Sequence, residues 1–143
     1  MKRLLVIKKK RKSLTLLVIV IITLVLLVFA FAEINKRYKI KKSLEFLDAG
    51  KKDFNDEKYK EAIKNLRLSI SQNRNNYEAY KYLGSSYEML GQPEQAITYY
   101  RKSLSLNKND AETYRLLGNV YFYINEHELA VIQFKKAVEL NPQ

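Results

Sequence analysis

Residues 77–110 read YEAYKYLGSSYEMLGQPEQAITYYRKSLSLNKND, and residues 111–143 read AETYRLLGNVYFYINEHELAVIQFKKAVELNPQ. Slid along by 34 positions, the first stretch overlays the second. Tyr80 meets Tyr114, Gly84 meets Gly118, Ala96 meets Ala130, Tyr100 meets Phe134, Ser103 meets Ala137, Leu104 meets Val138 and Asn107 meets Asn141. The same interval taken backwards reaches Phe46, Gly50, Ala62, Leu66, Ser69, Ile70 and Asn73. The chain from 43 onward is therefore three repeats, 43–76, 77–110 and 111–143. Periods of this size belong to stacked supersecondary units that bury their apolar faces against each other.

Each unit reads as two antiparallel helices. Tyr80, Leu83, Gly84 and Tyr87 lie at i, i+3, i+4 and i+7, one face of a first helix. Gly91 stops it, and Pro93 opens the next helix at a position where its missing N–H costs nothing. Ala96, Ile97, Tyr100, Ser103 and Leu104 form the apolar face of that second helix. In the third unit Asp110 is the expected N-cap and Asn125 replaces the turn glycine. Gly84 and Gly118 are mid-helix, where glycine costs about 1 kcal/mol against alanine. Close approach of the paired helix at Ala96 and Ala130 is the expected compensation, with Gly50 and Ala62 as the first-unit pair.

These motifs resemble the tetratricopeptide repeat family. The resemblance is carried by Tyr80-x-x-Leu83-Gly84-x-x-Tyr87 and Ala96-x-x-x-Tyr100-x-x-Ser103, and again by Tyr114, Leu117, Gly118, Tyr121, Ala130, Phe134 and Ala137, with Pro142 at the family's terminal proline position. It spans 101 of the 143 residues. The first unit departs from the pattern, with Asp53 in place of an aromatic and Glu57 in place of Gly or Asn. The resemblance implies an all-α solenoid whose first helices line a concave surface that binds protein or peptide segments. Carried onto this chain, the groove candidates are Lys51 and Phe54 of the first unit, Lys81, Ser85 and Glu88 of the second, and Arg115, Asn119 and Phe122 of the third. Leu44, Leu47, Glu78 and Glu112 complete the same stripe. The family's clamp for the terminal carboxylates of chaperones is not matched. Leu47 and Lys51 stand where it needs Lys and Asn, and Glu112 and Leu116 where it needs Lys and Arg.

Upstream of the repeats, residues 13–32 read SLTLLVIVIITLVLLVFAFA, with no charge. Twenty helical residues extend about 30 Å, the thickness of a bilayer's hydrocarbon core. The organisation expected is a basic tail 1–12, a transmembrane helix 13–32 acting as signal anchor, a basic juxtamembrane linker 33–42 and the repeat domain 43–143. The alternative is a cleaved signal peptide ending near Ala32, since Ala30-Phe31-Ala32 has the small-x-small form. The apolar run is longer than the 7–15 residues usual for a signal core, which favours the anchor.

The net charge of +11 has the same origin. Seven basic side chains precede the run and five follow it within 33–42, against the single acid Glu33; residues 43–143 hold 14 basic and 14 acidic groups. The excess brackets the span, so the repeats carry no basic stripe for nucleic acid. Basic flanks of this kind touch anionic headgroups and set topology, here with the N-terminus cytoplasmic and the repeats extracytoplasmic.

No cysteine is present and His127 is the single histidine, which removes thiolate chemistry and His-based metal cages. His127 falls at a helix start, and no phosphate loop or metal-ligand spacing is visible. The sequence predicts no enzyme activity and no cofactor. Two functions remain, an adaptor that binds protein or peptide partners and a structural subunit or self-assembling protein without an exchangeable ligand. The second draws on Phe134 and Val138. These align with core residues of the preceding unit, yet no further repeat follows in this sequence. They are expected to form an open apolar face covered by another protein or another copy.

Overall fold

The computed structural model describes the backbone of residues 2–141 and side-chain surroundings from residue 14 to 141. The side chains of the basic tail and the terminal Pro142 lie outside the described residues. Six helices follow in order: α1 Lys2–Asn55, α2 Tyr59–Gln72, α3 Tyr77–Met89, α4 Pro93–Leu106, α5 Ala111–Tyr123 and α6 His127–Leu140. The described chain divides into two units, one up to Tyr38 and one from Lys39 onward.

The first unit is the N-terminal part of α1. Its apolar side chains from Leu14 to Phe31 are exposed, and none of the apolar stretch is buried against protein. The helix is long and apolar enough to cross a membrane, a property that signal sequences share. Thr23 returns its hydroxyl hydrogen to the Val20 carbonyl at 2.9 Å, so this polar group is satisfied within the helix. Residues 33–42, read as a linker, are helical throughout, and the division between units falls inside them.

In the second unit, three turns end the first helices by one device. Glu57, Gly91 and Asn125, each 34 apart, have φ of 60°, 69° and 63°. Around them Lys58, Gln92 and Glu126 donate their N–H to Asp53, Tyr87 and Tyr121 carbonyls at 2.8–2.9 Å. Glu57, Gly91 and Asn125 donate to Phe54, Glu88 and Phe122 at 2.9–3.1 Å. These paired bonds are the Schellman closure, which requires a left-handed residue at its centre. The first repeat keeps it even though glutamate is poorly suited to that conformation. Entry into the following repeats is also periodic. The Asn73 and Asn107 side chains accept from the amides two residues on, and Asn76 and Asp110 cap α3 and α5 by accepting from Ala79 and Thr113.

The core is a single column of buried side chains, including Leu47, Leu66, Leu83, Tyr100, Leu117 and Tyr121. The mid-helix glycines are explained differently from the sequence expectation. A Cβ on Gly84 would lie 2.6 Å from the Tyr100 ring, one on Gly118 2.6 Å from the Phe134 ring, and one on Gly50 2.7 Å from Leu66. The neighbour that excludes a side chain is thus the large residue one turn beyond Ala96, Ala130 or Ala62, rather than the alanine itself.

A buried polar cluster ties α1 and α2 to the cap of α3. Ser43 and Ser69 hydroxyls are 3.0 Å apart, Ser69 donates to the Ser43 carbonyl at 2.8 Å, and the Asn76 amide donates to both hydroxyls. Cations serve the repeat boundaries as well. Arg67 donates to the Tyr87 hydroxyl at 2.7 Å, and its counterpart Arg101 lies over the Tyr121 ring. Tyr80 and Tyr114 differ despite their alignment. Tyr80 is buried, stacked on Tyr99 with Lys102 over its ring, whereas Tyr114 is half-buried, and Gln133 stands at the position of the stacking tyrosine.

Candidate functional site

The groove candidates lie on α1, α3 and α5, the first helix of each repeat. Most of their charge is already matched. Lys51 Nζ is 3.7 Å from Glu78 Oε2 and lies over the Tyr82 ring, linking the first repeat to the second. Lys81 Nζ is 3.2 Å from Asp110 Oδ2, with the two side chains only 19% and 10% exposed. Asp110 also accepts from the Thr113 hydroxyl and amide. Burial pushes the Asp110 carboxyl up, but the Thr113 bonds and Lys81 together hold it below the usual aspartate value. Arg115 makes two bonds to Glu112, of 2.9 and 2.7 Å, in an exposed pair of small energetic value.

Ser85 and Glu88 belong to one arrangement around Tyr100, whose ring is fully buried. The Tyr100 hydroxyl donates to Glu88 Oε2 at 2.6 Å and lies 3.0 Å from Ser85 Oγ. The phenol has one hydrogen, so Ser85 donates to the Tyr100 oxygen. Burial raises the Glu88 carboxyl above its ordinary value, with the Tyr100 bond and the Arg115 charge opposing.

A cavity of about 710 Å³ opens here, lined by Glu88, Met89, Asn119, Val120, Phe122 and Tyr123 among others. It brings together three sequence candidates, Glu88, Asn119 and Phe122. Lys51, Phe54, Lys81, Ser85 and Arg115 do not line it. Phe54 packs edge-on against Tyr59 and Tyr82. Phe122 is 61% exposed and leans on His127, an exposed residue at the first position of α6. Met89 and Tyr123 were not anticipated. They occupy the same repeat position, immediately after Glu88 and Phe122, and both are exposed. Large apolar side chains at the exposed end of two first helices were the available signal.

At the other candidate surface, Val138 is 61% exposed whereas its counterpart Leu104 is buried under the next repeat. Phe134 is half-buried, because its ring fills the space above Gly118. It therefore belongs partly to the core, and Val131 and Val138 carry more of the exposed apolar surface. Among the described residues no group of three or more His, Asp or Glu is placed to hold a metal ion.

Residues 78–143 match the family model for the tetratricopeptide repeat. Among solved structures, a crystal structure of MamA is 28% identical, with a TM-score of 0.68 over 71% of this chain and 59% of that one. The first repeat domain of Spaghetti (RPAP3) bound to the HSP90 peptide SRMEEVD is 24% identical, with a TM-score of 0.71 over 73% of this chain and 82% of that one. The Arabidopsis OM64 repeat domain is 19% identical, with a TM-score of 0.72 over 73% and 87% of the two chains. The last two likenesses concern the fold alone. The chain spans less than two thirds of the MamA structures it matches. No curated protein matches. The family match and the structural neighbours support the tetratricopeptide repeat family, whose members generally mediate protein–protein interactions and are typically non-enzymatic scaffolds.

Proposed function

We propose that this chain is a membrane-anchored adaptor that holds protein or peptide segments in the groove formed by α1, α3 and α5. The N-terminal part of α1 is the anchor, and the repeats lie on the extracytoplasmic side. The observation that carries the binding role is the cavity beside Glu88, where Met89, Phe122 and Tyr123 keep apolar surface exposed next to polar Asn119. Concave sites of this mixed kind suit an extended segment whose side chains alternate between apolar and polar contacts.

A photo-crosslinking residue at Asn119 tests this in intact membranes, with one at Lys102 on a second helix as the control. The expected result is a polypeptide adduct from 119 and none from 102. Equal labelling at both positions, or none at 119, refutes the groove. The anchor and its orientation are tested by protease added outside intact cells, which should digest the repeats. A reporter fused after Gln143 that is active only in the cytoplasm refutes the orientation, and a mature N-terminus at Glu33 refutes the anchor in favour of a cleaved signal.

The α6 face favours a second reading, a structural subunit packed on a fixed partner or another copy. Its apolar side chains are exposed where α4 is covered by α5. A particle mass above one chain per detergent micelle, reduced by polar substitutions at Val131 and Val138, supports self-assembly.

A further inference from the structure

The groove reading leaves open what kind of segment enters. Phe54, Glu88 and Phe122 are 34 residues apart and occupy one position of three successive repeats. Two aromatic residues thus flank a carboxylate along the stack. From the place of Glu88 in this series, beside the exposed Met89 and Phe122, we propose that the groove selects a segment bearing an arginine or lysine between apolar side chains, with the cation on Glu88 and the apolar neighbours on Met89 and Phe122. The proposal rests on the groove being the binding surface.

Three observations support that chemistry. First, the other groove acids are engaged: Glu78 with Lys51, Asp110 with Lys81 and Glu112 with Arg115. Glu88 has no ion pair among the described residues. One of its oxygens takes the Tyr100 hydroxyl, and the other accepts no hydrogen bond there. Second, Glu88 is half-buried at the wall of the 710 Å³ cavity, which has room for a long side chain. Burial raises its carboxyl above the ordinary value, although the Tyr100 bond and the Arg115 charge oppose this, and a ligand cation would compensate for that desolvation. Third, the exposed Phe122 ring and the Met89 side chain are surfaces on which the stem of an arginine or lysine can lie. An acidic segment fits poorly, because the groove lysines are already neutralised and Glu88 repels it.

The test uses the full chain in detergent micelles and three labelled heptapeptides, acetylated and amidated. They share the sequence Ser-Leu-Phe-X-Leu-Phe-Ser, where X is arginine, citrulline or glutamate. Citrulline keeps the shape of arginine without its charge. Fluorescence anisotropy should show the arginine peptide binding at least about tenfold tighter than the citrulline peptide, as for a charge-assisted bond out of bulk water. The glutamate peptide should be the weakest. Glu88→Gln keeps an acceptor for Tyr100 and should bring the arginine and citrulline peptides to parity. Phe122→Ala, at an exposed position, should weaken both to a similar degree.

Equal binding of arginine and citrulline by the unmodified protein overturns the proposal without needing a variant, and leaves the groove reading intact. An arginine preference that survives Glu88→Gln overturns it as well. If none of the peptides binds, the proposal falls, and the Asn119 crosslink decides whether the groove reading falls with it.

Discussion

Gly84→Ala and Gly118→Ala make the same chemical change at equivalent positions, and the structure predicts that they part in outcome. In both, alanine adds about 1 kcal/mol of helix preference. A Cβ on Gly84 lies 2.6 Å from two Tyr100 ring carbons and 3.0 Å from a third. Carbon atoms rest at about 3.5–4.0 Å, so roughly 1 Å of overlap must be relieved. Tyr100 is fully buried and its hydroxyl is held by Glu88 and Ser85. Moving the ring costs about 1–3 kcal/mol in overpacking, and losing the bond to Glu88 costs about 1.5–3 kcal/mol more. After the helix gain, the net loss is about 1.5–5 kcal/mol. A Cβ on Gly118 meets the Phe134 ring just as closely. Phe134 is half-exposed, has no hydroxyl and has no further helix over it among the described residues, so it can yield outward. There the helix gain and the residual strain roughly cancel, within about 1 kcal/mol. Thermal melts of the repeat helicity should show Gly84→Ala lowering the midpoint by at least about 6 °C, and by more than Gly118→Ala, which shifts it by only a few degrees, at about 4–8 °C per kcal/mol for a domain of this size. Equal shifts, or a stabilising Gly84→Ala, would refute the account of both glycines.

Glu57→Gly should stabilise the first repeat by up to about 1 kcal/mol in denaturant unfolding, since it relieves a left-handed glutamate and loses part of the gain to chain entropy. Tyr121→Phe should be neutral or stabilising, because its buried hydroxyl has no hydrogen-bond partner among the described residues. Tyr87→Phe should cost about 1 kcal/mol by removing one of the tyrosine hydroxyls that Arg67 bonds. For Asp110, whose folded value lies below the ordinary 3.8, the stabilisation is complete above pH 3.8 and is lost as pH falls through the lower folded value. Asp110→Asn should therefore be less stable than wild type at pH 7, with the gap narrowing below pH 4 in acid titrations followed by circular dichroism. For Glu88 the sign is opposite. Its raised value makes the charged form a cost above that value and no cost below 4.5, so Glu88→Gln should gain on wild type as pH rises from 4 to 7.

The period of 34 residues, the helix pairs and the apolar N-terminal run are written in the sequence, because each is a local pattern with its own physical cause. Apolar spacing builds one face of a helix, and Gly91 and Asn125 tolerate the left-handed turn that ends it. Twenty uncharged residues, seventeen of them apolar, suit a bilayer whatever follows them. Positional alignment even predicted that Glu57 would stand at a turn suited to glycine, which its φ of 60° bears out. The groove stripe was legible only as a set of positions. Which charges remain available depended on partners apart in sequence: Lys81 on α3 meets Asp110 at the cap of α5, and Glu88 meets Tyr100 across a turn. The same limit applies to the glycines, whose closest neighbours are the large side chains of Leu66, Tyr100 and Phe134, one turn past the alanines that the pattern suggested. It applies equally to Phe134, half-buried against Gly118 while Val138 stays exposed. Local patterns determine which helices form, since backbone and side-chain preferences act within a turn or two. The half-buried Glu88 carboxylate, the open cavity and the rigid ring arise only once helices pack, because burial and pairing are properties of neighbours brought together in space.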